Sequence, residues 1–141
     1  MAKPAPITIP TEPIGSIPRP ANLIERVARG DSEDPNLAPF YEDAIQDTIE
    51  RFEATGSTVM TDGEKRKYHN FATDCVHGLP NTPRDGFKIP FSDGHTRRLS
   101  RLTHGPFRNR RYADCYLDVA IRYAHVPVKQ AVISPSALSL W

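Results

Sequence analysis

The chain has 141 residues, 38% of them apolar and 25% charged, with a formal net charge of +1, the make-up of an ordinary one-domain folded polypeptide. So balanced a charge offers no concentrated positive field, which argues against nucleic acid or an anionic membrane as partner. No run approaches the roughly 20 apolar residues of a membrane span and the opening MAKPAPITIP lacks the apolar core of a secretory signal; with only Cys75 and Cys115, free thiols in the cytoplasm are the expectation.

In chain order, Ile7 to Ile17 alternates β-branched residues with prolines. This predicts a short first strand whose pairing is confined to a few residues near Ile14, because proline donates no ladder hydrogen bond. The segment leaves through Gly15-Ser16 into Pro18-Arg19-Pro20, and Asn22 to Arg29 reads as a short helix ending at Gly30. From Asn36 to Thr55, Leu37, Phe40, Tyr41, Ala44, Ile45, Thr48, Ile49 and Phe52 recur at helical spacing, the clearest amphipathic helix in the chain. Gly56 stops it, and Ser57 to Thr61 predicts a buried second strand ending at Asp62-Gly63-Glu64.

The stretch from Asn70 to Arg111 has little helical period and several turn signals, Asn81 to Gly86 and Ser92-Asp93-Gly94 among them. It predicts a long β-type insert, with a hairpin as one way to build it. Arg111 to Ala124 is helical by pattern, Val128 to Ile133 reads as a third strand, and Ser134-Pro135-Ser136 suits the start of another helix. Strand alternating with helix predicts an α/β fold with a parallel sheet, and the polar motifs fall just after the strands, where ligands bind in such folds.

Three clusters are candidates for chemistry. Ile14-Gly15-Ser16 sets a residue without Cβ beside a hydroxyl, an arrangement open to two readings: a plain turn, or backbone N–H groups that approach an anion. Asp62-Gly63-Glu64-Lys65-Arg66 is either a solvated charged turn or a carboxylate placed to hold an ammonium group. Cys75-x-His77 offers two zinc-type donors, but two do not make a site, and Cys115, His69, His95, His104 and His125 lack paired spacing. The basic cluster of Arg97, Arg98, Arg101, Arg108, Arg110 and Arg111, interleaved with Phe107 and Tyr112, belongs to no nucleic-acid module; it reads as a solvated face, with contact to phosphate or polyglutamate as the alternative.

Taken together, Pro10 to Pro20, then Thr61-Asp62-Gly63-Glu64 with Arg66, then Val128 to Pro135, resemble in order and spacing the cobalamin-independent methionine synthase family, in its catalytic barrel and single-barrel relatives. The resemblance implies a (β/α)8 TIM barrel, of which residues 1–141 would be the N-terminal part: about the first three βα units, with the insert at about 70–111. A closed barrel takes about 250 residues, so open sheet edges and self-association through them are expected. The ending at Leu138-Ser139-Leu140-Trp141, inside an apparent helix start, reads as truncation or alternative splicing.

In function the resemblance implies zinc-dependent methyl transfer from methyltetrahydrofolate to the thiol of homocysteine. The residues corresponding to the family's amino-acid contacts are Ile14, Gly15, Ser16 and Glu64, with backbone donors at Gly15 and Ser16 for the carboxylate and Glu64 for the ammonium. The family's zinc ligands, His, Cys, Glu and Cys, have no counterpart before Trp141, and Cys75-x-His77 runs in the reverse order and wrong region; no metal or catalytic residue is therefore assigned to this chain. It is expected to carry the homocysteine-binding part and to be inactive alone. The alternatives are a non-catalytic truncated binding or interaction protein, or a thiol alkyltransferase resembling epoxyalkane:coenzyme M transferase.

Overall fold

In the computed structural model, described for residues 11–30, 32, 34–67, 74–76, 79–81, 87–99, 101, 103–105 and 108–138, one long helix organises the rest. The regular structure of these residues is α1 (Ala21–Arg29), α2 (Ala38–Ala54), an antiparallel pair β1 (Phe87–Pro90) and β2 (Thr96–Leu99), α3 (Leu117–Tyr123) and the short α4 (Pro135–Leu138). Short 3₁₀ turns precede α2 at Pro35–Leu37 and α3 at Ala113–Tyr116.

α2 forms because its apolar residues recur three and four apart, and Tyr41, Ala44, Ile45, Thr48 and Ile49 are buried along that stripe. Asp34 caps the preceding 3₁₀ turn by accepting the Asn36 N–H at 2.9 Å, and a proline sits in the first turn of α2, where its missing N–H is not needed. At the other end Gly56 takes φ 76°; its N–H reaches the Glu53 carbonyl and that of Ser57 the Phe52 carbonyl, the paired bonds of a Schellman stop.

Two clusters divide the stripe. Tyr41 and Ala44 pack with Leu37 and with Leu23 of α1; Ile45 and Ile49 pack with Met60 and with Val119 and Ala120 of α3. Full burial of one such large side chain contributes about 1.5–3 kcal/mol, so Ile45, Ile49 and Met60, each fully buried, hold α3 and the Met60 segment to the same half of α2.

The structure corrects the expected fold class. The described residues are mostly helical and contain no parallel sheet, so they do not form the first βα units of a barrel. Of the expected first strand, Ile7 to Pro10 lie outside the described residues, and residues 11–17 form no strand; their backbone tie to the next segment is Ile17 N–H to Gly63 O at 3.0 Å. The second and third segments meet at a single parallel bridge, Met60 to Val128, made by Met60 N–H to Pro127 O (2.9 Å) and Lys129 N–H to Met60 O (2.8 Å).

Local chemistry explains why the ladder stops there. Pro13, Pro18, Pro20 and Pro127 have no N–H to give. Beyond Met60, the Thr61 hydroxyl accepts the Gly63 N–H and the Asp62 carboxylate accepts the Glu64 N–H, which turns the chain away within two residues. Parallel ladders also need both faces covered, and Val132 in the third segment is 64% exposed.

The one sheet among the described residues is the β1–β2 hairpin, in register from Phe87 opposite Leu99 to Pro90 opposite Thr96 and closed by Phe91 N–H to His95 O at 2.9 Å. It lies within the 70–111 stretch, with no strand before it among the described residues; residues 70–73, 77, 78, 82–86, 100, 102, 106 and 107 of that stretch lie outside the described residues. No helix among the described residues is long and apolar enough to cross a membrane.

Candidate functional site

The turn at residues 61–67 and the extended segment at residues 14–20 face each other and exchange hydrogen bonds in both directions. Arg19 donates from Nε to the Lys65 carbonyl (2.9 Å) and from Nη2 to the Lys67 carbonyl (2.8 Å). In return Lys65 Nζ donates to the carbonyls of Pro18 (2.7 Å) and Ile17 (3.3 Å). Two segments with few backbone bonds between them are thus fastened by long cationic side chains, each satisfying carbonyls of the other.

This fastening brings Gly15, Ser16 and Glu64 together. The Ser16 hydroxyl donates to Glu64 Oε2, and a Cβ placed on Gly15 would lie 3.9 Å from Glu64 Oε1. Glu64 is 7% exposed, while Ser16 is exposed and Gly15 half-buried, so the carboxylate forms the floor and the residues at 15–16 the rim. Among the described residues, the backbone N–H groups of Gly15 and Ser16 have no acceptor. Ile14, the fourth residue singled out from the sequence, does not join them: it is 88% exposed.

Glu64 is held from several sides. Its backbone sits at φ 57°, a left-handed conformation uncommon outside glycine and found where surrounding structure imposes it, often at functional sites. The Asp62 carboxylate accepts its N–H at 2.9 Å, and its own carbonyl accepts the Lys67 N–H at 3.2 Å. Lys67 also brings its ammonium to 3.3 Å from Glu64 Oε1 and donates to the Ala131 carbonyl at 2.6 Å, so the pair is buried and anchored to the segment after Val128.

Sequence reasoning passed over Lys67, and it gave Lys65 and Arg19, which lie inside the motifs singled out, no part in holding the site. The spacing of Lys67, three residues after Glu64, was an available signal; the reciprocal Arg19–Lys65 exchange depends on contacts 46 to 48 residues apart and had none. Arg66, part of the same motif, turns elsewhere: it donates to the Cys115 carbonyl at 2.9 Å and pairs with Asp118 at the start of α3.

Below the turn lies Asp62, fully buried, with Oδ2 lacking a partner among the described residues. Burial pushes its carboxyl pKa up, against the lowering effects of the Glu64 N–H and the Lys67 charge. Burial likewise pushes the Lys65 ammonium down.

No group of three or more His, Cys, Asp or Glu among the described residues fits a metal ion. Cys75 is half-buried and Cys115 exposed, and His77 lies outside the described residues. No step through zinc is assigned to the described residues. Of the arginine cluster, Arg101, Arg108 and Arg110 are exposed, and Arg111 donates to the Tyr116 hydroxyl at 3.1 Å.

In comparisons with protein-family models, curated proteins and solved structures, nothing matches the chain.

Proposed function

We propose that this chain holds the amino-acid end of homocysteine or a similar thiol, as the part of a methionine-synthase-like site that grips the substrate rather than activates it. The observation that carries this reading is Glu64: a carboxylate with 7% exposure on a left-handed backbone, directly beside the rim formed by Gly15 and Ser16. In the proposed complex the ammonium of the ligand lies against Glu64, replacing the Ser16 hydroxyl on Oε2, while Lys67 stays on Oε1. The ligand carboxylate accepts from the N–H groups of Gly15 and Ser16, a charge-assisted pairing on backbone donors that are otherwise unpaired among the described residues. Methyl transfer from methyltetrahydrofolate would require thiol activation that the described residues do not supply, so the expected behaviour of the isolated chain is binding without turnover.

Calorimetric titration of the purified chain tests this. L-homocysteine and L-methionine are expected to bind, and mercaptobutyrate and mercaptoethanesulfonate, which lack the ammonium, are not. Glu64→Gln is expected to weaken binding by about tenfold or more, the scale of a hydrogen bond to a charged group. Absence of homocysteine binding by the natural chain, or equal binding by the Gln variant, refutes the assignment. Tight binding of mercaptoethanesulfonate would instead favour a thiol alkyltransferase.

A further inference from the structure

We propose that the cleft between α2 and the segment at residues 17–20 is a second ligand site, for an organic anion carried on an apolar body. The cleft has a volume of about 620 Å³, inside the range of roughly 300–1,000 Å³ typical of small-molecule sites. Its lining includes Lys65 but none of Gly15, Ser16, Glu64 and Lys67; the Glu64 carboxylate instead meets Ser16 and Lys67.

Its chemistry is set by three cations and one carboxylate. Arg19, Arg51 and Lys65 line the cleft with Asp47, an excess of two positive charges, counted as three less one. The cations retain donors. An ammonium has three N–H groups, and Lys65 gives two bonds to the Ile17 and Pro18 carbonyls. A guanidinium has five; Arg19 uses Nε and Nη2 on carbonyls, and Arg51 uses Nε on both oxygens of Asp47, at 2.9 Å each.

Arg19 and Lys65 are already fixed by those carbonyls, so an anion meets positioned donors and little side-chain freedom is lost on binding. Lys65 is 2% exposed, and an anion beside its remaining N–H would offset the desolvation that depresses its pKa. The walls decide what carries the charge. Pro18 and Phe52 present apolar surface, which a bare inorganic anion leaves unused and a ring or alkyl chain covers; the planar guanidinium forks suit a carboxylate or a similar oxyanion.

Fluorescence titration of the full chain with anilinonaphthalene sulfonate, and with uncharged phenylnaphthylamine of the same ring body, tests the inference. Expected is saturation at one sulfonate per chain, with the uncharged probe about tenfold or more weaker. Arg51→Gln, at a side chain 78% exposed and outside the core, should weaken the sulfonate by about tenfold and leave the uncharged probe unchanged. Asp47→Asn, which releases Arg51 from its partner, should tighten the sulfonate several-fold, a gain that a damaged fold does not produce. Equal affinity for the two probes, several probes per chain, or indifference of the sulfonate to both substitutions would overturn the proposal, as would its displacement by inorganic phosphate at matched ionic strength. Homocysteine should not compete with the sulfonate, which keeps this result separate from that at Glu64.

Discussion

Gly63 and Glu64 follow one another in the left-handed region, at φ 65° and 57°. At Gly63 the requirement is doubled by crowding: a Cβ there would lie 3.1 Å from Thr48 Cγ2 and 3.2 Å from Ile17 Cβ. Gly63→Ala is expected to cost about 1–3 kcal/mol in urea unfolding; a variant as stable as the natural chain would show that the turn relaxes freely. Asp62 supplies a test with a sign. Its folded pKa is raised above the ordinary 3.8, so at neutral pH the buried charge lowers stability, and that cost disappears as pH falls below the unfolded value, where both states are protonated. Asp62→Asn keeps an oxygen for the Glu64 N–H and removes the charge. It should raise stability by about 1 kcal/mol at pH 7, with the gain shrinking towards pH 3.8 in thermal melts across pH; a loss at neutral pH would mean that the carboxylate is favourably partnered. The identities of Gly15, Ser16 and Glu64 as a polar group were legible in the sequence. The left-handed backbone of Glu64 was not, because it is imposed by Asp62, Lys67 and Ser16 rather than preferred by glutamate.

Helices announce themselves through local spacing, and the elements follow that division. A helix expected over 36–55 runs Ala38–Ala54, and one expected over 22–29 runs Ala21–Arg29, because apolar residues three and four apart need only their own neighbours to define the face. A strand exists only with its partner. The β-branched run 57–61 and the segment 128–133 each carry strand-like residues, yet they share one bridge, since the side chains of Thr61 and Asp62 divert the next N–H groups. Between elements, α2 is joined to the end of α3 by His125, whose N–H and Nδ1 lie 2.7 and 3.0 Å from the Glu53 carboxylate. The backbone bond, and then the side-chain bond, hold Glu53 below its ordinary 4.5. A depressed carboxylate pKa stabilises the folded state fully above the unfolded value and loses that contribution as pH falls through the lower folded one. Glu53→Gln should therefore flatten the acid side of the stability profile below about pH 4.5. The effect should be small, since the His125 side chain is 86% exposed; identical profiles would show that the contact contributes nothing.

Across the whole molecule, the two apolar clusters share α2, whereas the 14–20 segment joins the body through polar contacts centred on the 61–67 turn. The buried Glu64–Lys67 pair anchors that turn to Ala131. Lys67→Met would leave a carboxylate of 6% side-chain exposure without its cation, and about 3 kcal/mol or more of stability should be lost. Salt should barely alter the natural pair, in contrast to the exposed Arg29–Glu25 and Arg51–Asp47 pairs; a loss below about 1 kcal/mol would mean that water reaches Glu64 freely. The reciprocal carbonyl exchange between Arg19 and Lys65 has a kinetic corollary. A strap buttoned by two side chains can come undone without unwinding a helix, so the Ile17 amide, bonded to Gly63 O, should trade its hydrogen for deuterium faster than the amides in the middle of α2. Any ligand that clamps the strap shut should slow that one amide first.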